Sequence, residues 1–257
     1  NFGNGFYNDH HFHYGYHIYA AAIVAEYDRE WGRKYFEHVL LMIRDVANPS
    51  AEDKYFPLFR QKDWYMGNSW ASGFALAGNR PYSNGRNQES SSEAISAYEG
   101  ISMYGSVMMK AFGNGKSENQ YDNKNAYTAC RIFNIGRFLA ATEISSADRY
   151  WHVYSPKRDQ TYPDSYTPYV VGMMWETMAQ FQTWFGSAAY LTYGIQLLPI
   201  TPISERRDSD QWLRQLYQSF EESCASEDNC INEGWAVLLY CVLAELGHPK
   251  MAMQKAL

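Results

Sequence analysis

Apolar positions recur three and four residues apart along most of the chain, and that spacing predicts helices. Residues 16–27 (YHIYAAAIVAEY) are Ala-rich and apolar on most sides, which predicts a buried helix. Phe36, Val39, Leu40 and Ile43 give a helix over 31–47, stopped by Asn48-Pro49-Ser50. Residues 51–69 and 80–91 predict loops. Periodicity resumes at Glu93 with Ile95, Tyr98, Ile101, Gly105 and Met108. It continues over 125–142, with Ile132, Ile135, Phe138 and Leu139 on one face. A long aromatic loop is expected over 150–169, then helices over 170–185 (Val171, Met174, Trp175, Met178, Phe181) and 187–198. The prolines of LPITP end the latter, and helices over 208–223 and 232–246 follow. Alternation of period two is rare, and WHVY at 151–154 is the best short strand. About eight helices with short and long connections in turn predict an all-α array of helical hairpins, a bundle or an α/α barrel. No repeat and no shift in composition divides the chain, so one domain is expected over 1–257.

Composition narrows the partners. Charged residues are only 19% of the 257 and apolar residues 46%, which excludes a disordered chain. The net charge of -6 argues against nucleic acid as the main partner. No apolar run is long enough for a membrane span. Aromatic residues reach 17%, with 22 Tyr and 8 Trp, whose flat faces and polar tips suit stacking on neutral sugar rings. A Tyr-rich core without a ligand is the bland alternative. Cys224 and Cys230 flank a short polar stretch that either closes a disulfide loop, pointing to secretion, or leaves two surface thiols. Cys130 and Cys241 fall in helical patterns and are expected as buried free thiols. The chain starts at Asn1 without Met or a signal peptide, which suggests a processed or partial chain.

Three segments carry candidate chemistry. FGNGFYNDHHFHYGYH at 2–17 sets Asp9, His10, His11, His13 and His17 among aromatics. A carboxyl in such surroundings is biased toward its acid form, as a general acid near neutral pH requires. His13 lies four residues after Asp9, on the same side if the turn is helical. GRNQESSSEAISAYEG at 85–100 places Glu89 and Glu93 four apart at a helix start, where they share a face. Ser90 to Glu93 also reads as a capping box, so a capped helix with a solvated acidic turn is the alternative. TWFGSAAYLTYGIQLLPITPIS at 183–204 joins aromatics, Gln196 and a Pro-rich exit. An isolated Asp plus a Glu pair matches the two-carboxyl requirement of glycoside hydrolysis. The histidines lack a third and fourth ligand at metal spacing, and no cofactor or metal is expected.

FYNDHHFHYGYHIYAAA (6–22), DWYMGNSWASG (63–73), NQESSSEA (87–94), TWFG (183–186) and GIQLLPITPIS (194–204) together resemble glycoside hydrolase family 81, the endo-β-1,3-glucanases. The resemblance implies inverting hydrolysis of internal β-1,3-glucosidic bonds. It also implies an (α/α)6-barrel-like array, incomplete on its N-terminal side, with a β-sandwich and the first barrel helices lying upstream. Asp9 would be the general acid, Glu89 or Glu93 the base with Glu89 favoured, and His13 would orient Asp9 or bind sugar. His11, Tyr14, Trp64, Tyr65, Trp70, Asn87, Trp184 and Gln196 would bind substrate. One block departs from the family: the stretch at 189–194 lacks the Glu and His that many members carry.

The partner implied is a β-1,3-glucan, acted on by a secreted or cell-wall-associated monomer. Two other readings use the same residues: a glucan-binding module without turnover, and a helical metalloprotein built on the His cluster with Glu89 and Glu93.

Overall fold

A computed structural model describes residues 2–71, 76–77, 80–156 and 161–256. Ser72 and Gly73 of the second family-like block, and residues 157–160 of the expected long loop, lie outside them. Helices dominate, so the fold class is all-α as the periodicity predicts. The chain packs as two compact units, residues 1–74 with 93–143 and residues 75–92 with 144–257, a division that no repeat or shift in composition marks.

The first unit holds α1 (His10–Tyr27), α2 (Arg29–Ala47) and most of α3 (Ser91–Ala111) and α4 (Gln120–Tyr150). α1 begins a turn and a half earlier than its periodicity suggested. It buries one face only (His11, Gly15, Ile18, Ala22, Ala25), while Ile23, Val24 and Tyr27 are exposed. Asp28 starts α2 by accepting the Trp31 N–H at 2.9 Å, satisfying one orphan donor of the first turn. The apolar face of α2 (Phe36, Val39, Ile43, Val46) turns inward. Small residues bring helices together. A Cβ on Gly15 would meet that of Ala97 at 2.5 Å, so α1 and α3 touch backbone to backbone. Gly136 brings α4 equally close to Ser102 of α3.

The 59–71 loop is fastened by a buried ion pair. Lys62 Nζ lies 2.8 Å from Glu143 of α4, and the Glu143 carboxylate also accepts the Ser69 N–H at 2.9 Å and its hydroxyl at 3.1 Å. Charges this deeply buried hold only when each is paired and hydrogen-bonded.

The second unit holds two short strands, β1 (Leu76–Ala77) and β2 (Arg80–Pro81), and a three-stranded sheet of β3 (Asn87–Gln88), β4 (Met173–Trp175) and β5 (Ala179–Gln180). β3 pairs antiparallel with β4, Asn87 opposite Trp175, and β4 with β5, Met173 opposite Gln180. The helix expected over 170–185 is therefore a hairpin. Val170 to Trp175 are all buried, so the run has no polar face to reveal its period. WHVY contributes only an isolated bridge, His152 to Val170.

Six helices complete this unit: α5 (Ala189–Ile195), α6 (Ser204–Arg207), α7 (Asp210–Ser226), α8 (Asp228–Asn232), α9 (Ala236–Glu245) and α10 (Pro249–Ala256). Trp212, Leu216 and Phe220 of α7 pack with Tyr190, Tyr193, Leu239 and Val242 in its core. Cys224 and Cys230 form a disulfide joining α7 to α8. Both are buried, against the alternative of surface thiols, whereas Cys130 and Cys241 are only half-buried. No helix among the described residues is long and apolar enough to cross a membrane.

Candidate active site

In the first unit the chemistry gathers where α1 and α3 begin. Asp9 is the residue before α1, with φ 56° and ψ 19°, in the left-handed region that few non-glycine residues adopt. Tyr7 and Phe2 share this sign of φ, so strain is concentrated in the segment leading to Asp9. The conformation is held from both sides. The Asp9 N–H donates to the Ala71 carbonyl at 2.8 Å, and its own carbonyl accepts the His13 N–H at 2.9 Å. Phe12, Ala71 and Ala94 form a small apolar cluster, one close in sequence to Asp9 and one next to Glu93.

Burial in these surroundings, and secondarily the charge of Glu93, push the Asp9 carboxyl up to about 7, against a smaller opposing effect of His10. Glu93 lies in the first turn of α3 and accepts a hydrogen bond from the Tyr16 hydroxyl at 2.8 Å. Tyr16 was not among the residues singled out from sequence. It sits on α1 seven residues after Asp9, two turns along the same face, a spacing that could have flagged it.

The surrounding histidines divide. His13 faces the Asn4 side-chain amide at 3.0 Å, and burial with the nearby His10 lowers its pKa. His10 bridges Asp45 at 2.7 Å and the Asn4 carbonyl at 2.8 Å, while Arg60 reaches Asp45 at 2.7 Å. Burial alone would raise Asp45, but His10 and Arg60 together hold it below the usual range. Tyr14 is half-buried with its ring 4.7 Å from that of His10. His11 is wholly buried and takes the Gln61 amide at 3.1 Å, so it cannot touch a sugar as expected.

Of the aromatic residues expected as platforms here, Trp64 and Tyr65 are exposed at 51% and 95%. Asp63 shapes their turn by accepting the Tyr65 and Met66 N–H groups, and the Trp64 ring rests on Phe138. Trp70 is 1% exposed with its indole N–H on Asp63 at 3.2 Å. It is a core residue, and the expectation of a sugar platform there is wrong.

In the second unit Glu89 lies between β3 and α3, outside the helix, so it does not share a helical face with Glu93. Its carboxylate accepts the Trp184 backbone N–H at 2.6 Å. Trp184 is half-exposed and packs against Trp175 and Tyr82, an aromatic group of which only Trp184 was expected to bind substrate. Asn87 is buried, with Oδ1 3.4 Å from the Trp184 indole nitrogen, so it supports that ring and does not face solvent.

The three serines beside Glu89 dock on the end of α5. The hydroxyls of Ser90 and Ser92 both donate to the Ile195 carbonyl, at 3.1 and 3.0 Å, and Ser92 also reaches the Leu198 carbonyl. Carbonyls at a helix C-terminus lack partners within the helix, and these hydroxyls supply them. Gln196 is fully buried with its amide bonded to Ser91, Glu89 and Gly172. The expected substrate contact is not available to it. Among the described residues no three His, Cys, Asp or Glu side chains gather as a metal site.

Comparison with known proteins places this arrangement in a family. The chain matches the glycosyl hydrolase family 81 C-terminal domain over residues 1–256, and it belongs to that family. It is 33% identical over 95% of its length to the primary septum glucan endo-1,3-beta-D-glucosidase of Schizosaccharomyces pombe, covering 21% of that protein. It is 31% identical over 94% of its length to a glucan endo-1,3-beta-D-glucosidase of Glycine max, covering 33% of it. A solved glycoside hydrolase family 81 structure from Clostridium thermocellum superposes with a TM-score of 0.76 at 30% identity, over 95% of this chain and 30% of that one. The likeness carries the fold class with it, all-α and barrel-like. The chain spans between a fifth and a third of the length of these relatives.

Proposed function

We propose that this chain is the catalytic helical domain of an enzyme that hydrolyses internal β-1,3-glucosidic bonds with inversion. The observation that carries the reading is Asp9, whose carboxyl is pushed up to about 7 by burial and by Glu93. A carboxyl that keeps its proton near neutral pH can protonate the leaving glycosidic oxygen. Glu89 is the base. A backbone N–H aimed at its carboxylate suits the anion that must take a proton from water. Glu93 tunes Asp9 by its charge, and Tyr16 holds Glu93 in place. An inverting pair needs about 6.5–9.5 Å between acid and base for the attacking water. Trp64, Tyr65 and Trp184 have exposed rings suited to stacking on glucose units. The substrate is a β-1,3-glucan, and the enzyme works as a monomer without a cofactor. The Cys224–Cys230 disulfide supports a secreted or cell-wall location.

The test uses the full-length protein carrying this chain, with laminarin as substrate. Proton NMR of the first product should show the α-anomer, since water attacks opposite the leaving group. Asp9→Asn should lower release of reducing ends by roughly 10²–10⁴-fold while glucan binding survives. A β-anomer first product would overturn inversion. More than about a tenth of the activity in Asp9→Asn would overturn the acid assignment. Glucan binding without turnover in the wild type would leave only a binding module.

A further inference from the structure

We propose that Gln196 is the positioning residue of the general base, fixing where the Glu89 carboxylate sits; the inference rests on the reading of Glu89 as that base. Gln196 follows α5 and is 0% exposed. Its Oε1 accepts the Ser91 N–H at 3.2 Å and the Ser91 hydroxyl at 2.8 Å. Its Nε2 donates to the Glu89 carbonyl at 2.6 Å and to the Gly172 carbonyl at 3.1 Å. A side-chain amide offers two donor hydrogens and two acceptor lone pairs, and here all four are used.

The pattern of those bonds is the argument. Two bracket the base: one takes the carbonyl of residue 89, the other the N–H of residue 91. The peptide units on the C-terminal side of Glu89 are thereby pinned to a buried group. A third bond runs to Gly172, at the foot of the β4–β5 hairpin, where the Gly172 N–H in turn donates to the Gln180 carbonyl at 2.9 Å. A Cβ at Gly172 would lie 2.3 Å from the Gln182 carbonyl oxygen, so the two arms of the hairpin are in direct contact there. The second arm leads within two residues to Trp184, whose N–H holds the Glu89 carboxylate. One buried amide therefore fastens both the backbone of the base and the hairpin that grips its side chain. Such fastening bears on rate, because a shift of about 1 Å in a reacting group can cost about 10²-fold.

The experiment is a double-mutant cycle in the full-length protein. Gln196→Met and Gln196→Glu are made in the wild type and in Glu89→Ala, whose turnover is read with added azide. Ser91→Ala, which removes one hydroxyl from the amide, is made in both backgrounds as the variant least able to disturb folding. With Glu89 present, the Gln196 variants should lose about 10–10²-fold in kcat with KM within about twofold, and Ser91→Ala a few-fold. With Glu89 absent, the same changes should cost nothing further, because the group they position is gone. Equal proportional losses in both backgrounds would overturn the proposal and leave Gln196 a purely structural residue. Should the Gln196 variants fail to fold, Ser91→Ala decides by the same criterion. Wild-type activity in Glu89→Ala itself would overturn the base assignment, and this inference with it.

Discussion

Asp9 and Glu89 are both carboxylates beside a helix start, and the two units hold them in opposite ways. Asp9 sits on a strained backbone beside an apolar cluster, where burial and the charge of Glu93 push its carboxyl up to about 7. Glu89 sits on the connection between β3 and α3, without a left-handed φ and with a backbone N–H aimed at its carboxylate. Under the proposed function the contrast would divide one residue chemistry into acid and base, with the surroundings, and not the side chain, assigning the role. Glu93 stands between the two cases. It takes a hydrogen bond from Tyr16, and its charge also raises the Asp9 carboxyl.

The sharpest way to break the comparison is to delete each glutamate and offer a substitute. Glu89→Ala should lose roughly 10²–10⁴-fold in activity, and azide should restore part of it as an α-glycosyl azide. Glu93→Ala should also lose activity, without rescue, because Glu93 takes no proton from water. Rescue of Glu93→Ala alone would exchange the two roles.

A second test compares two tryptophans that look alike in sequence. Trp70→Ala should cost about 3–5 kcal/mol of stability in denaturant unfolding, because Trp70 is 1% exposed. Trp64→Ala should leave stability within about 1 kcal/mol and raise KM for long glucans. A stable Trp70→Ala with raised KM would return that residue to the cleft.

The sequence made visible whatever depends on neighbours along the chain. The face of α3 (Ile95, Tyr98, Ile101, Met108) is buried as its spacing predicts, and the Asp9–His13 step is helical. Asp9 and the pair Glu89 and Glu93 stand out in the sequence as polar groups in aromatic or serine-rich surroundings. What depends on distant partners was hidden. Val171, Met174 and Met178 fall at helical spacing, but β4 pairs with Asn87 and Gln88, some 85 residues earlier, as well as with β5. Trp70 and His11 have the residue types of a sugar site, yet both are buried, His11 against Gln61 fifty residues further on. From the sequence alone Gln196 is a polar residue at a helix exit. Its true partners lie more than a hundred residues away at Glu89 and Ser91, so its amide could not be assigned from its own surroundings.

The smallest effect is the most direct test of the central claim, that surroundings assign the acid. Asp9 can be titrated by carbon-13 NMR of its carboxyl in the full-length protein, in the wild type and in Glu93→Gln. The wild-type midpoint should lie at about 7, and activity should fall as pH rises through it, because the protonated form does the work. In Glu93→Gln one of the two effects that raise it is gone, so the midpoint and the alkaline limb of activity should both move to lower pH. A wild-type midpoint near the ordinary aspartate value of about 4, unchanged in Glu93→Gln, would contradict the account.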